Sequence, residues 1–484
     1  MKVDYTNVYT FFIPENQKDK EILENLSKNV VIRKLEYNPI LKRKEVKYVT
    51  LLQKNRNNTY YILSGLLPYL KMKYPKIHTS LIDIEKLKKD PIWQILRDYQ
   101  KRAVLNLLEY PRGIVDSVMG SGKTYMIMAI CKAIKENIPI LVIIPKYQAL
   151  LEQTVKKFLE FFKRYEIGWN YGKGFKNGRI MISSSTCLEK LSLNYYKVAL
   201  IDECQSVPAN TIKKALLKCK NAIVRYGFSG TPIGRSDQND YITIGLLGNI
   251  IEKVTYQELK EKGFTSPVKY FILKYNSTDF YDKDLFLYSD TKEWHKIVEK
   301  FILENKTRTK IILELLKHII NSNRNCLIVV ERKEHGKKLE KEIKESFNDN
   351  IVKYISSDTK HNFRTIQEFN SRKFKILIAT QLIELGIDIP NLNTIIIASI
   401  GKSSIQLLQR IGRGLRPQEG KLLLVFDFQD GDNNVLYHHS YQRKKWLMQK
   451  GFSYEEVILY RDIEKEIERL WYEKCQNQMI RNTI

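Results

Sequence analysis

The chain has 484 residues, 43% hydrophobic and 28% charged, with 81 Lys and Arg against 54 Asp and Glu for a net charge of +27. That length exceeds one ordinary core, so two or three domains are expected in a soluble globular chain. The basic excess favours a polyanionic partner, nucleic acid before a membrane surface, over a merely Lys-rich solvated exterior.

Cys131, Cys187, Cys204, Cys219, Cys326 and Cys475 are scattered without a Cys-x-x-Cys pair. That pattern argues against a zinc site or a disulfide framework and for a reducing compartment. "MKVDYTNVYTFF" holds no signal-peptide apolar region, and no apolar run approaches the ~18 residues of a membrane span. The expected location is cytoplasmic (the host cytoplasm if the gene is viral), with no membrane partner. Usage rich in Lys, Asn and Ile points to an AT-rich genome such as a virus or phage carries.

Residues 1–90 read as a small α+β accessory domain. "NVYTFFIP" suits a strand and "KDKEILENLSKN" a helix with Ile22, Leu23 and Leu26 on one face. "VKYVTLLQ" and "TYYILSG" read as strands joined across "KNRNN", and "LLPYLKMKYP" as a short helix. The basic balance of this segment suits DNA binding and suits a passive packing domain equally.

From 91 to 262 short β-branched runs alternate with helical stretches: "GIVDSV", "ILVIIP", "RIMISS", "VALIDE", "IVRYGFSG". The texture returns over 296–430 in "CLIVVE", "IVKYIS", "FKILIAT", "TIIIAS" and "KLLLVFDF". Apolar strands separated by helices predict buried parallel sheets, so the fold class is α/β with two tandem domains. Residues 263–295 lack the pattern and read as a connector, and 431–484 as a helical, charged tail.

"SVMGSGKT" (117–124) follows a strand and opens the apolar helix "YMIMAICKAI", the context of a P-loop. Small residues let backbone N–H groups curl around phosphates at a helix N-terminus. Lys123 would reach the β and γ phosphates and Thr124 would hold Mg²⁺. The first small position is Ser117, where the pattern has Gly. "VALIDECQ" sets Asp202 and Glu203 at a strand end, 79 residues after Lys123. One carboxylate there can bind metal, and its neighbour can orient and deprotonate water. Cys204 reads as a packing residue, and His335, His438 and His439 as packing or surface groups.

The ordered motifs resemble a superfamily 2 helicase. "LRDYQ" resembles the adenine-recognition motif, "VMGSGKT" motif I, "IPKYQALLEQ" motif Ia, and "SSSTCL" motif Ib. "DECQ" resembles the DExx box, with Gln205 where DEAH members have His; "FSGTP" resembles the coupling motif III and "IVVERKEHG" motif IV. "ATQLIELGIDIP" (379–390) resembles motif V and "LQRIGRGLR" (408–416) motif VI. Within the superfamily the likeness is to the phage UvsW type, and more distantly to RecG, XPB and restriction-enzyme motors. Two flanks carry it: the N-terminal "EYNPILKRKEVKYVTLLQ" and "YHHSYQRKKWLMQKGF" (437–452).

The resemblance implies two RecA-like domains with ATP in the cleft between them, and Mg²⁺ as cofactor. It implies that Arg97 and Gln100 read the adenine, and that Gly120, Ser121, Gly122, Lys123 and Thr124 cradle phosphates and Mg²⁺. Asp202 holds the metal, Glu203 acts as base, and Gln205 senses the γ-phosphate. Ser229 and Thr231 couple ATP state to the nucleic-acid track. Gly386 and Asp388 meet the nucleotide from the second domain. Arg413 and Arg416 are arginine fingers, with Gln409 beside them. Pro145, Lys146, Thr186, Thr380 and Gln381 are nucleic-acid contacts by the same likeness, although a strand-end Thr is more often a cap or turn residue. Arg410 serves equally as a surface or ion-pairing group.

Within "LQRIGRGLR", Ser403 or Ser404 caps a helix with Ile405, Leu408 and Ile411 on its apolar face, and Gly412 and Gly414 break it. The function implied is an ATP-dependent DNA helicase, 3′ to 5′ and monomeric, acting on forks, Holliday junctions and displacement loops. An RNA helicase or transcript-release translocase is the alternative. A nucleotide-binding scaffold without turnover fits poorly with the intact Lys123, Glu203 and Arg413.

Overall fold

A computed structural model describes residues 1–38, 43–73, 81–146, 148–172, 174–235, 237–277, 294–356, 362–380, 389, 391–399, 412, 420–431, 433–460 and 462–476. The chain divides into two compact units, Met1–Val254 and Thr255–Ile484.

The first unit begins with β1 (Lys2–Tyr5), β2 (Tyr9–Ile13), β3 (Val31–Asn38), β4 (Arg43–Thr50), β5 (Gln53–Lys54) and β6 (Tyr60–Leu63). Strands β1-β2-β6-β5 form an antiparallel sheet. The helix Gln17–Asn29 is capped by the Asn16 side chain, which accepts from the Asp19 N–H. It buries Leu23 beside Phe12, Leu52, Tyr60, Ile62 and Leu67.

The predicted hairpin across "KNRNN" is made by the two-residue β5 and β6. The Val46–Thr50 run pairs instead with β3, as a separate two-stranded sheet. The helix expected at "LLPYLKMKYP" is a 3-10 helix over Ser64–Leu70.

This N-terminal part belongs to the same unit as the α/β sheet that follows it. A Cβ on Gly65 would sit 2.1 Å from the Ile244 carbonyl oxygen, so the two backbones meet where only hydrogen fits. The buried Arg112 donates to the Leu246 carbonyl at 3.1 Å and to the Asn7 carbonyl, fixing the N-terminal strands to that sheet.

The α/β sheet holds β7 (Arg112–Ser117), β8 (Ile140–Ile144), β9 (Ile167–Tyr171), β10 (Gly174–Lys176), β11 (Ile180–Ser184), β12 (Val198–Asp202), β13 (Val224–Ser229) and β14 (Ile250–Val254). Their order is β10-β9-β11-β8-β12-β13-β7-β14, parallel except for the β10 edge. Strands β8, β11 and β13 are buried along their whole length, and β8 is apolar throughout.

The second unit holds β15 (Val268–Tyr275), β16 (Cys326–Val329), β17 (Val352–Ile355), β18 (Ile376–Ala379), β19 (Thr394–Ile397), β20 (Leu423–Asp430) and β21 (Glu455–Leu459). They form a parallel sheet in the order β17-β18-β16-β19-β20-β15-β21.

Two expectations are corrected here. The segment read as connector (263–295) contains β15, which pairs with β20 and β21 inside the second sheet. The tail from 431 is not only helical. Between the helices Asn434–Gln449 and Ile463–Leu470 lies β21, pairing with β15. The cause is one of distance along the chain. Strand β15 finds its partners 155 (423 − 268) and 184 (455 − 271) residues away, beyond the reach of local periodicity.

Two buried ion pairs hold this sheet. Arg443, from the helix after β20, grips Asp427 through Nε and Nη2 at 2.9 Å each, and the Tyr270 hydroxyl donates to the same carboxylate at 2.8 Å. Arg308 pairs with Asp430, which also accepts from the Tyr275 hydroxyl at 2.9 Å. The Arg308 guanidinium lies 4.2 Å from the Phe428 ring centroid. His335 is buried with Nδ1 3.1 Å from the Ser399 hydroxyl, and burial pushes its imidazole down to about 3, so it is a neutral packing group.

Candidate functional site

Strands β7, β8, β11, β12 and β13 are mutually parallel. Their C-terminal ends run into residues 118–122, 145–146, 185–186, 203–206 and 230–235, which therefore emerge along one edge of the sheet.

After β7 the backbone takes left-handed turns at Gly120 (φ 82°) and Gly122 (φ 77°) before the helix Lys123–Ala133. These turns bend the loop toward a helix N-terminus, where free N–H groups and the dipole favour an anion. Ser117, the departure from the P-loop pattern, is fully buried, its hydroxyl 2.8 Å from that of Ser121. The loop is pinned from behind. Tyr99 and Gln100 donate to the Ser121 carbonyl at 2.9 and 2.7 Å, and Gln100 accepts from the Arg97 N–H at 2.8 Å. A Cβ on Gly122 would meet Gln100 Nε2 at 2.3 Å.

The acidic pair closes the site. Lys123 Nζ lies 3.6 Å from Glu203 Oε1. Gln205 Nε2 donates to Glu203 Oε2 at 3.0 Å, and Ser229 Oγ donates to Gln205 Oε1 at 2.5 Å. The Thr231 N–H returns to Ser229 Oγ at 2.9 Å. Polar side chains from three adjacent strand ends thus form one continuous run.

Glu203 sits at φ 52°, a left-handed conformation that costs about 1–3 kcal/mol for a non-glycine residue. Burial first, and then the Glu203 charge, push the Asp202 carboxyl up to about 7. Two acids and one lysine leave an excess of partly buried negative charge. A divalent cation fits this excess of carboxylate oxygens, and the residues that would hold it are Asp202 and Thr124. Cys204 is buried against Gly227, where a Cβ would meet it at 2.9 Å, in line with its reading as a packing residue.

The other expected residues divide. Pro145 and the exposed Lys146 follow β8 on the same edge. The Thr186 hydroxyl lies 3.0 Å from that of Ser184, inside its own turn. Thr380 is buried at the end of β18, its N–H reaching the Ile355 carbonyl at 3.4 Å. Gln381, Gly386, Asp388, Gln409, Arg413 and Arg416 lie outside the described residues, as do Ser403–Ile411 of the expected capped helix. Arg235, on the loop after β13, donates through Nη1 to the Gln205 carbonyl at 2.6 Å. No motif spacing announced that contact.

A parallel sheet with a glycine-turned phosphate loop, an acidic pair two strands away and a second parallel-sheet unit defines tandem RecA-like domains of the P-loop class. Residues 94–234 match the family described as type III restriction enzyme, res subunit, and residues 307–418 the helicase conserved C-terminal domain. The chain carries both of these domains and is similar to superfamily 2 helicases of the UvsW type.

Helicase 22 of Sulfolobus islandicus filamentous virus is 29% identical over 366 residues, covering 67% of this chain and 62% of that protein. The ATP-dependent DNA helicase uvsW of Enterobacteria phage T4 is 25% identical over 360 residues, covering 70% of this chain and 68% of that protein. The DNA 3′-5′ translocase XPB2 of Sulfurisphaera tokodaii is 22% identical over 364 residues, covering 68% of this chain and 80% of that protein. The match thus spans less than two thirds of the viral relative's length. Among the described residues no helix is long and apolar enough to cross a membrane.

Proposed function

We propose that the protein is an ATP-driven DNA translocase that moves 3′ to 5′ and remodels branched DNA such as forks, Holliday junctions and displacement or R-loops. Its place is replication, recombination or repair in a cytoplasm, the host's if the gene is viral. The observation that carries the reading is the run Lys123–Glu203–Gln205–Ser229, which joins the phosphate loop to the strand end carrying "SGTP". Such a run lets the state of the γ-phosphate reach residues that lead away from it.

In this reading Gly120, Ser121, Gly122 and Lys123 cradle the phosphates, and Arg97 and Gln100 hold the adenine. Thr124 and Asp202 hold Mg²⁺, which supplies charge neutralisation at the phosphates. Glu203 takes the proton of the attacking water, and Gln205 reports on the γ-phosphate. Arg413 and Arg416, with Gln409, Gly386 and Asp388, act on the nucleotide from the second unit. Spreading charge on the transferred phosphoryl group needs positive groups delivered to it. Pro145, Lys146, Thr186, Thr380 and Gln381 hold a strand through its phosphates without reading sequence. DNA is preferred over RNA because, among the sequence relatives that match 68% or more of this chain, those with a stated nucleic acid are named for DNA.

ATP-dependent unwinding of a fork, a four-way junction, a linear duplex and an RNA–DNA hybrid, measured side by side, tests this. Preference for the fork and junction is expected, with affinity falling steeply in salt as counterions are released. Equal ATPase stimulation by DNA and RNA with no junction unwinding would sink the DNA reading in favour of an RNA translocase.

A further inference from the structure

From the geometry of the loop after β13 we infer that Arg235 is a positioning residue for ATP hydrolysis, fixing Gln205 and through it Glu203; this rests on the ATPase reading above. Gln205 is held at both ends. Its side chain bridges Ser229 Oγ and Glu203 Oε2, and its carbonyl accepts from Arg235 Nη1 at 2.6 Å.

The other edge of the same guanidinium is clamped. Nε and Nη2 reach the two oxygens of Asp237 at 2.8 and 2.6 Å. Asp237 also accepts from the Asn239 N–H at 3.2 Å and from Asn239 Nδ2 at 3.0 Å. Asp240, the first residue of the next helix, accepts from the Gly234 N–H at 2.8 Å. The loop is therefore folded on itself to present one guanidinium donor to the backbone of the acidic box.

A planar fork suits this task. One edge is locked bidentately, so the remaining donor has a fixed direction, which a flexible ammonium cannot reproduce. Glu203 in turn sits in a left-handed conformation that its surroundings must enforce. Fixing the carbonyl two residues on is one way to enforce it. Arg235 touches neither Lys123 nor the Asp202 and Glu203 side chains in the contacts described, so its effect on turnover runs through Gln205.

The test uses the full chain with saturating single-stranded DNA. Wild type and Lys123→Ala are assayed first: a wild type without ATP turnover overturns the ATPase reading itself. Given turnover, Arg235→Ala is expected to lower kcat roughly tenfold, the effect of one charge-assisted hydrogen bond, with KM for ATP unchanged within about twofold. Arg235→Lys recovers only part of the loss. The double variant Arg235→Ala/Asp237→Asn should turn over no more slowly than Arg235→Ala alone, because Asp237 acts only by fixing the Arg235 guanidinium. If Arg235→Ala does not fold, Asp237→Asn, which frees the clamped edge, replaces it and lowers kcat with the same pattern. Wild-type kcat in a folded variant, or losses that multiply in the double variant, overturns the inference.

Discussion

Both units bury charge, and they do so in opposite ways. In the second unit two buried carboxylates each meet a guanidinium and a phenol: Asp427 with Arg443 and Tyr270, Asp430 with Arg308 and Tyr275. At the phosphate edge of the first unit two acids are adjacent: Glu203 lies 3.6 Å from Lys123, and Asp202 beside it is driven up to about 7. Matched buried charge supports a fold. Unmatched charge is tolerated where something else completes it, and in the function proposed above a metal nucleotide completes the phosphate edge.

Three experiments sharpen or break this contrast. The largest effect is expected for Arg443→Ala, which strands Asp427 in the core and should destabilise the second unit by about 3–5 kcal/mol in denaturant unfolding. A loss below about 1 kcal/mol would show that the pair is not holding the sheet. Next, Lys123→Ala should lower ATP turnover about 10²–10³-fold while DNA binding, read by fluorescence anisotropy, stays intact. Loss of DNA binding as well would point to a damaged loop rather than a phosphate ligand. Smallest is the thermal shift of Asp202→Asn. Removing the unmatched charge should stabilise the nucleotide-free protein by about 1 kcal/mol, as relief of active-site strain commonly does, while abolishing hydrolysis. A lowered melting temperature would mean that Asp202 is already compensated, contrary to the contrast drawn here.

Much of the site was legible beforehand because its chemistry is local. Gly120 and Gly122 supply the turns, Lys123 follows at once, and Asp202 and Glu203 end an apolar strand; each needs only its neighbours to be recognised. The Arg235 clamp was not legible. Its partner, the Gln205 carbonyl, is a backbone atom thirty residues earlier, and a backbone acceptor leaves no residue-type signature. Strand β15 escaped for a related reason: it joins a parallel sheet whose adjoining members, β20 and β21, come about 150 residues or more later. The Val46–Thr50 strand was seen but given the wrong partner, since the polar turn "KNRNN" suits β5–β6 and says nothing of β3.

The sequence by itself determined the two α/β textures, the phosphate loop and the acidic box, because hydrophobic period and small-residue turns act over a few residues. Only the tertiary structure decided that the N-terminal strands are fused to the first sheet through Gly65 and Arg112. The same holds for the segment from 255 and the C-terminal strand β21, which belong to the second unit. Those outcomes depend on close approach between distant backbones, and on which buried charges find partners. Neither is set until the chain has packed.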